Sequence, residues 1–430
     1  MSVATPAQPS PTPRAEAAIL ALAAVLRLAW AALVPIDPIS DCKAYDIFAR
    51  NLAAGHAFGF EIDKPSAFWP PGTSFLYSLV YRLAPPEHGG YALAAGLNLL
   101  FGVGIVAASM ALTRAWFGRR ASLIAGTLLA LWPFHVQFTS ILASELPFTF
   151  FCLLGLLAWS SGGRPWVRVI LTALAFAAAT LIRPTALLLP VVLVMVSALR
   201  GHGVLGPGLR AAAVLAVMGL CLAPWSVRNT RLFGQFVLVS ANGGSNLWMG
   251  NNSQTTGYYQ ELPKLDRELN EAQVDAELGR RAKAHIREQP AAFVARTFKK
   301  AVLLHRSETI GVGWNERGLA RAAPSLFGEG SRGIWLLKAA STAYWWLVLA
   351  LALLGLAWLA RARGIWHTLT HPAAAFWAYF TAVHAVIVIQ DRYHFPATPL
   401  IAALASVPIS GLIASRLAAR QPSPPLETSP

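Results

Sequence analysis

The stretch AAILALAAVLRLAWAALVPI, residues 17–36, runs directly into DPISDCKAY, residues 37–45. The first part is apolar over a length that carries an α-helix across the roughly 30 Å hydrocarbon core of a bilayer. The second is polar and opens with Asp37-Pro38, a turn signal at which such a helix stops. This boundary decides the fold class, because the same alternation recurs along the chain. Tyr91–Thr113, Ala121–Ala143, Ala211–Val227 and Phe395–Ser415 are further apolar windows of spanning length. With 55% hydrophobic and only 13% charged residues, the chain has far fewer charges than a soluble domain. An all-α polytopic membrane protein is the expectation. The one charge inside the first window, Arg27, costs roughly 2.5–3.5 kcal/mol to insert. It should therefore face the bundle interior or water, in a structural or cavity-lining role.

Working outward, Met1–Arg14 is a Pro/Ser/Thr/Ala tail, and the first apolar run is too long for the core of a cleavable signal. It should remain as the first spanning helix. That tail and Gln421–Pro430, within a C-terminal cytoplasmic tail of 416–430, are too polar and Pro-rich to pack and read as disordered. The net charge of +15 does not point to nucleic acid. Its arginines sit in short loops: Arg114/Arg119/Arg120, Arg164/Arg168, Arg200/Arg210, Arg361/Arg363 and Arg416/Arg420. Such loops face the cytoplasm. Both termini are then inside, provided that Gly72–Ala84, too short to span, is a juxtamembrane or re-entrant helix within a first outer loop, 37–90. Roughly ten spanning helices result.

The expected organisation is a transmembrane catalytic core over 15–227, an outer segment over 228–332 and C-terminal membrane helices over 333–415. In the outer segment, Leu265, Leu269, Val274, Leu278, Ala282 and Ile286 recur at helical spacing between Lys264 and Gln289. Pro290 ends that helix and a second follows; the simplest character for the pair is a solvated amphipathic hairpin. Cys152 and Cys221 lie in apolar windows and Cys42 in a loop, so no intrachain disulfide is expected.

Polar residues of chemical interest gather at the outer loops. Asp41 suits a general base that takes the proton of an acceptor hydroxyl; it equally suits a cap on the helix containing Tyr45. Glu145 is either a second carboxylate facing the same cavity or, with Ser144 as cap, a favourable charge at a helix N-terminus. Arg183, Arg228 and Arg392 stand where outer loops meet helix ends. Arginine binds phosphate oxygens bidentately, although at a membrane boundary it also snorkels to headgroups. Ser240–Asn252, rich in Gly and Asn, reads as a chain of turns whose amides could hold sugar hydroxyls. No His, Cys, Asp and Glu have metal-ligand spacing, and His384 and His394 stand isolated. No metal is expected, though a divalent ion at Asp41 and Glu145 is compatible with the sequence.

Several motifs then occur in order: Asp41 with Tyr45 and Ala49, Trp69-Pro70-Pro71-Gly72, Ser144-Glu145, Arg183-Pro184, Pro224-Trp225 with Arg228-Asn229, Asn246-Leu247 with Gly250-Asn251, and Arg392-Tyr393 with Pro396 and Pro399. Together, from about Ala17 to Ser415, they resemble the bacterial relatives of dolichyl-phosphate-mannose protein mannosyltransferases. That group includes the aminoarabinose lipid A transferases and the galacturonic acid transferases of lipopolysaccharide core. The resemblance implies a GT-C fold in the bacterial inner membrane, a polyprenyl-phosphate sugar donor and inversion at the anomeric carbon. The acceptor would be a hydroxyl of an envelope lipid, lipopolysaccharide or protein on the periplasmic side. By it Asp41 is the catalytic carboxylate and Glu145 the second acidic position. Arg392 resembles a basic residue near the donor phosphate; Arg183 or Arg228 would join it there, and Tyr45, Lys64, Trp69, Asn246 and Tyr393 would contact substrate. Trp69 stands where the aminoarabinose transferases have Lys, so lipid A specificity does not carry over. A transporter or flippase for a lipid-linked sugar is the rival reading, but transporters show repeated halves and no internal repeat is evident. A scaffold reading leaves the carboxylates and arginines without a purpose.

Overall fold

The computed structural model describes residues 13–419 except 266 and 267. Most of the two tails expected to be disordered thus lies outside the described residues. The first helix already begins at Pro13, which is well suited to an opening turn, and the last continues to Ala419.

Among the described residues, six helices are long and apolar enough to cross a membrane: Arg14–Leu33, Gly90–Leu131, Pro165–Ile182, Leu205–Phe233, Gly333–Arg363 and Asp391–Arg416. A seventh arises if Pro133–Ser140 and Glu145–Ser160, bent by 119° to one another, form one broken span. The expected ten is reached when Gly90–Leu131 is divided and the shorter helices Glu145–Ser160, Leu189–Leu199 and Pro372–Val386 are included. The division falls at Gly118, whose φ of 84° breaks the helix. Ser122 Oγ donates to the Met110 carbonyl at 2.8 Å. In a straight helix those residues would stand about 18 Å apart, so the two arms form a hairpin with its tip among Arg114, Arg119 and Arg120.

The helices share a continuous core that includes Trp132, Phe134, Phe138, Phe148, Phe176, Phe376 and Phe395. Helix Glu145–Ser160 runs from Glu145 to Trp159 about 21 Å away, and Pro165–Ile182 runs back towards Arg183. The bundle therefore has two ends with different chemistry. Among the described residues, every Asp and Glu except Glu16 falls in a segment at the Glu145 end. The opposite end carries the arginine loops, where Glu16 pairs with Arg114 and Arg119.

Short elements cover the acidic end. Gly72–Leu83 is a separate helix of 12 residues and is too short to span. The amphipathic hairpin is present as Glu271–Glu288 and Pro290–Leu304. Its first helix starts later than the spacing from Lys264 suggested, because Asn270 and Gln273 form a capping box that fixes the N-terminus there. Within the segment read as turns, Gly243–Gly250 is a helix; Asp275, accepting from the Ser245 amide at 2.7 Å, satisfies one of its free N-terminal donors.

Candidate active site

Asp41 opens helix Asp41–Ala53, and its N-cap, Ser40, makes no side-chain cap bond. Ser40 has φ +49° and ψ −131° and is the one described non-glycine residue with positive φ. Such a conformation persists only where the surroundings impose it, and it lies next to the carboxylate of interest. The Asp41 side chain does not cap the helix. Its Oδ2 accepts from Arg392 Nη2, and it remains 31% exposed.

Arg392 is buried on the turn that leads into the last membrane helix, and it bridges two acids. Besides Asp41 it donates through Nη1 to Glu145 Oε1 at 3.2 Å. Glu145, fully buried, also accepts from Arg183 Nη2 at 2.5 Å. Ser144 does not cap either, since its hydroxyl accepts from Arg183 Nε at 2.9 Å. Aromatic rings wall the cluster: Trp314 and Tyr393 lie 4.4 and 5.2 Å from the Arg392 guanidinium, and Tyr393 and Phe148 lie 5.6 and 5.7 Å from that of Arg183. Tyr45 is buried close by; burial, then the charge of Asp41, pushes its phenol upward. Two carboxylates and two guanidiniums are thus held together among rings, with Asp41 the most open member. Buried opposite charges at such separations strengthen one another because little water intervenes.

The fold brings Asp41, Glu145, Arg183, Arg392, Tyr45 and Tyr393 together from four separate stretches of chain. The other expected contacts lie elsewhere. Arg228 donates to the Ser66 carbonyl at 2.9 Å and stacks on Trp225, supporting the first loop from below. Trp69 belongs to an aromatic group with Phe48, Phe60 and Phe68. Lys64 is exposed and paired with Glu61, and Asn246 lies on helix Gly243–Gly250 without a described hydrogen bond to the cluster.

Sequence reasoning missed the supports. Asp391 accepts from Thr309 N, Thr309 Oγ1 and Ile310 N at 2.6, 2.8 and 3.0 Å, anchoring the residue next to Arg392. Lys300 donates to the carbonyls of Gly250, Val386 and Ile387, tying the hairpin to the segment before Arg392. His394, isolated in sequence, meets the fully buried Glu308 at 3.1 Å and donates its Nδ1 proton to the Leu304 carbonyl. Glu308 also accepts from Trp132 at 2.8 Å, and burial drives its carboxyl well above the ordinary range. The signals were weak: Asp391 adjoins the Arg392-Tyr393 motif without being part of it, and Glu308 lies in a segment with no motif.

Among the described residues no three of His, Cys, Asp and Glu gather as metal ligands. Arg392 stands between the Asp41 and Glu145 carboxylates.

This arrangement sits on a known architecture: the chain is a multi-pass membrane protein with the GT-C fold. The oligosaccharyltransferase of Archaeoglobus fulgidus, solved with zinc and sulfate, superposes with a TM-score of 0.54 at 15% identity, over 94% of this chain and 50% of that one. The oligosaccharyltransferase AglB from Archaeoglobus fulgidus, in complex with an inhibitory peptide and a dolichol-phosphate, gives 0.51 at 14%, over 96% and 52%. The chain therefore spans about half the length of these relatives. ArnT from Cupriavidus metallidurans bound to undecaprenyl phosphate aligns at 0.42 and 16%, over 96% of this chain and 81% of that one, too low a score to define a shared fold. No family model and no curated protein matches the sequence.

Proposed function

We propose that this protein is a glycosyltransferase that moves a sugar from a polyprenyl-phosphate donor to a hydroxyl of an envelope acceptor, with inversion. The observation that carries the reading is Arg392, buried and shared between Asp41 and Glu145 on a fold whose solved relative was captured with dolichol-phosphate. A guanidinium held between carboxylates can trade one of them for a phosphate without leaving its place. Arg183 offers a second donor, since its buried Nη1 has no partner.

In the proposed step the acceptor oxygen attacks the anomeric carbon while the bond from that carbon to the phosphate oxygen breaks. The acceptor proton passes to Asp41, the one carboxylate open enough to meet it. The electron pair leaves with the lipid phosphate, whose growing charge Arg392 and Arg183 stabilise. Glu145, closed off from solvent, holds both arginines in line. The arginine loops at the far end support a site on the periplasmic face of a bacterial inner membrane. The archaeal relative was solved with zinc; we read this chain as working without a metal, because a guanidinium fills the bridging position.

The test is transfer of label from radiolabelled polyprenyl-phosphate sugars to a membrane extract, comparing the wild type with Asp41→Asn. Transfer reduced by about 10²–10⁴-fold in a folded variant supports the assignment. Equal transfer by both removes Asp41 as base, and label carried across vesicles without any transfer supports a flippase.

A further inference from the structure

The end of the bundle opposite the candidate site contains a cavity of about 430 Å³ lined by Arg200, Arg210, His202, Ser197, Trp116 and Trp159. It meets, at Ser160, an apolar groove of about 650 Å³ lined by Leu112, Phe151, Leu154, Leu171 and Leu174. Leu171 and Leu174 are about half exposed on the outside of the bundle. A cationic chamber thus continues into a hydrocarbon slot.

The cations are uncompensated. From Leu146 to Gln260 the chain has no Asp or Glu, and none lines the cavity. Two nearby arginines have local work: Arg168 and Arg210 donate to the Trp159 carbonyl at 2.8 and 2.7 Å, closing the C-terminus of helix Glu145–Ser160. Arg200 has no such task, and its Nη1 is buried without a partner. Its charge is felt at His371, whose imidazole is pushed down to about 3 by burial and then by Arg200, and at His367, lowered by burial and then by the same residue.

We propose that this site binds an anionic glycerophospholipid, its phosphate beside Arg200 and an acyl chain in the groove. Charge complementarity selects an anion, and the slot leading from the chamber selects one that carries hydrocarbon. Trp116 and Trp159 line the chamber next in sequence to Ala115 and Ser160 of the groove, where an amphipathic ring suits both surroundings.

The test is titration of the full-length protein in detergent with dioctanoyl phosphatidylglycerol, dioctanoyl phosphatidylcholine, undecaprenyl phosphate and inorganic phosphate, with native mass spectrometry as the readout. Phosphatidylglycerol should bind about tenfold more tightly than phosphatidylcholine. Arg200→Gln should remove that preference and Arg200→Lys should keep part of it. Equal binding of the two lipids, or a preference that survives Arg200→Gln, overturns the proposal. Displacement by millimolar inorganic phosphate reassigns the chamber to a free anion, and tighter binding of undecaprenyl phosphate reassigns it to the carrier lipid; either also overturns it. Should Arg200→Gln fail to fold, the lipid preference of the wild type alone still decides.

Discussion

Arg27 and Arg392 are both buried within this protein, and their partners could hardly differ more. Arg27 donates to the carbonyls of Ala23, Leu129 and Ala130. It lies so close to Gly102 that a Cβ there would come within 2.6 Å of its Nε. Arg392 donates to two carboxylates and is flanked by a third polar acceptor, Gln390, at 2.6 Å. Carbonyls cannot leave the arginine they serve, so Arg27 is a fixed bolt between the first helix and the returning arm of the helical hairpin. Carboxylates can be exchanged for another anion, so Arg392 is poised for a ligand. Burial alone therefore says little about whether a charge is structural or functional; the identity of the acceptor does.

The comparison can be broken most decisively at Arg392. Arg392→Lys keeps the charge and loses the two-pronged geometry, which is worth about 1.5–3 kcal/mol in a charge-assisted pair. The donor concentration giving half-maximal rate should rise at least about tenfold while that for the acceptor stays put; equal effects on both would make Arg392 another bolt. Next in size is Arg27→Met, which leaves carbonyls unsatisfied at about 1–3 kcal/mol. It should lower the melting temperature and leave the turnover of the folded fraction unchanged.

Glu308→Gln sharpens the contrast from the support side. The raised carboxyl of Glu308 contributes stability that is fully present below the ordinary carboxylate range and is lost as pH rises towards its folded value. Wild type should therefore lose stability relative to Glu308→Gln as pH rises above the ordinary carboxylate range, by up to about 1.4 kcal/mol per unit for one proton. Parallel pH profiles of melting temperature would show that the proton is not held there. The smallest effect is expected at Ser40→Gly, which relieves a positive φ beside Asp41 and should stabilise by no more than about 1 kcal/mol. A loss of transfer without a loss of stability would mean that the strained backbone aims the carboxylate.

The membrane class, most helix positions and the polarity of the loops were legible because hydrophobic windows and arginine loops are local signals. Gly118 shows the limit: the tip of the hairpin was read from its arginines, while the return of the chain onto Met110 was visible only in the fold. The site was half legible. Asp41, Glu145, Arg183 and Arg392 were singled out as charges at helix ends, but capping and chemistry were equally good explanations for the acids until their partners were known. The meeting of residues 41 and 145 with Arg392, and of residues 144 and 145 with Arg183, gave each side chain a partner other than a helix end.

What the sequence determined by itself is what depends on the solvent around each segment: which stretches enter hydrocarbon, where they stop, and which residue types stand at the boundary. Transfer free energy is a property of a local window, so it can be read along the chain. The tertiary structure alone decided which charges meet. Arg228, Lys64, Trp69 and Asn246 looked no less suitable than Arg392, Arg183 and Tyr393, and only the close packing of distant segments separated them. A Coulombic or hydrogen-bonded pair depends on a distance between residues hundreds of positions apart, which no local pattern records.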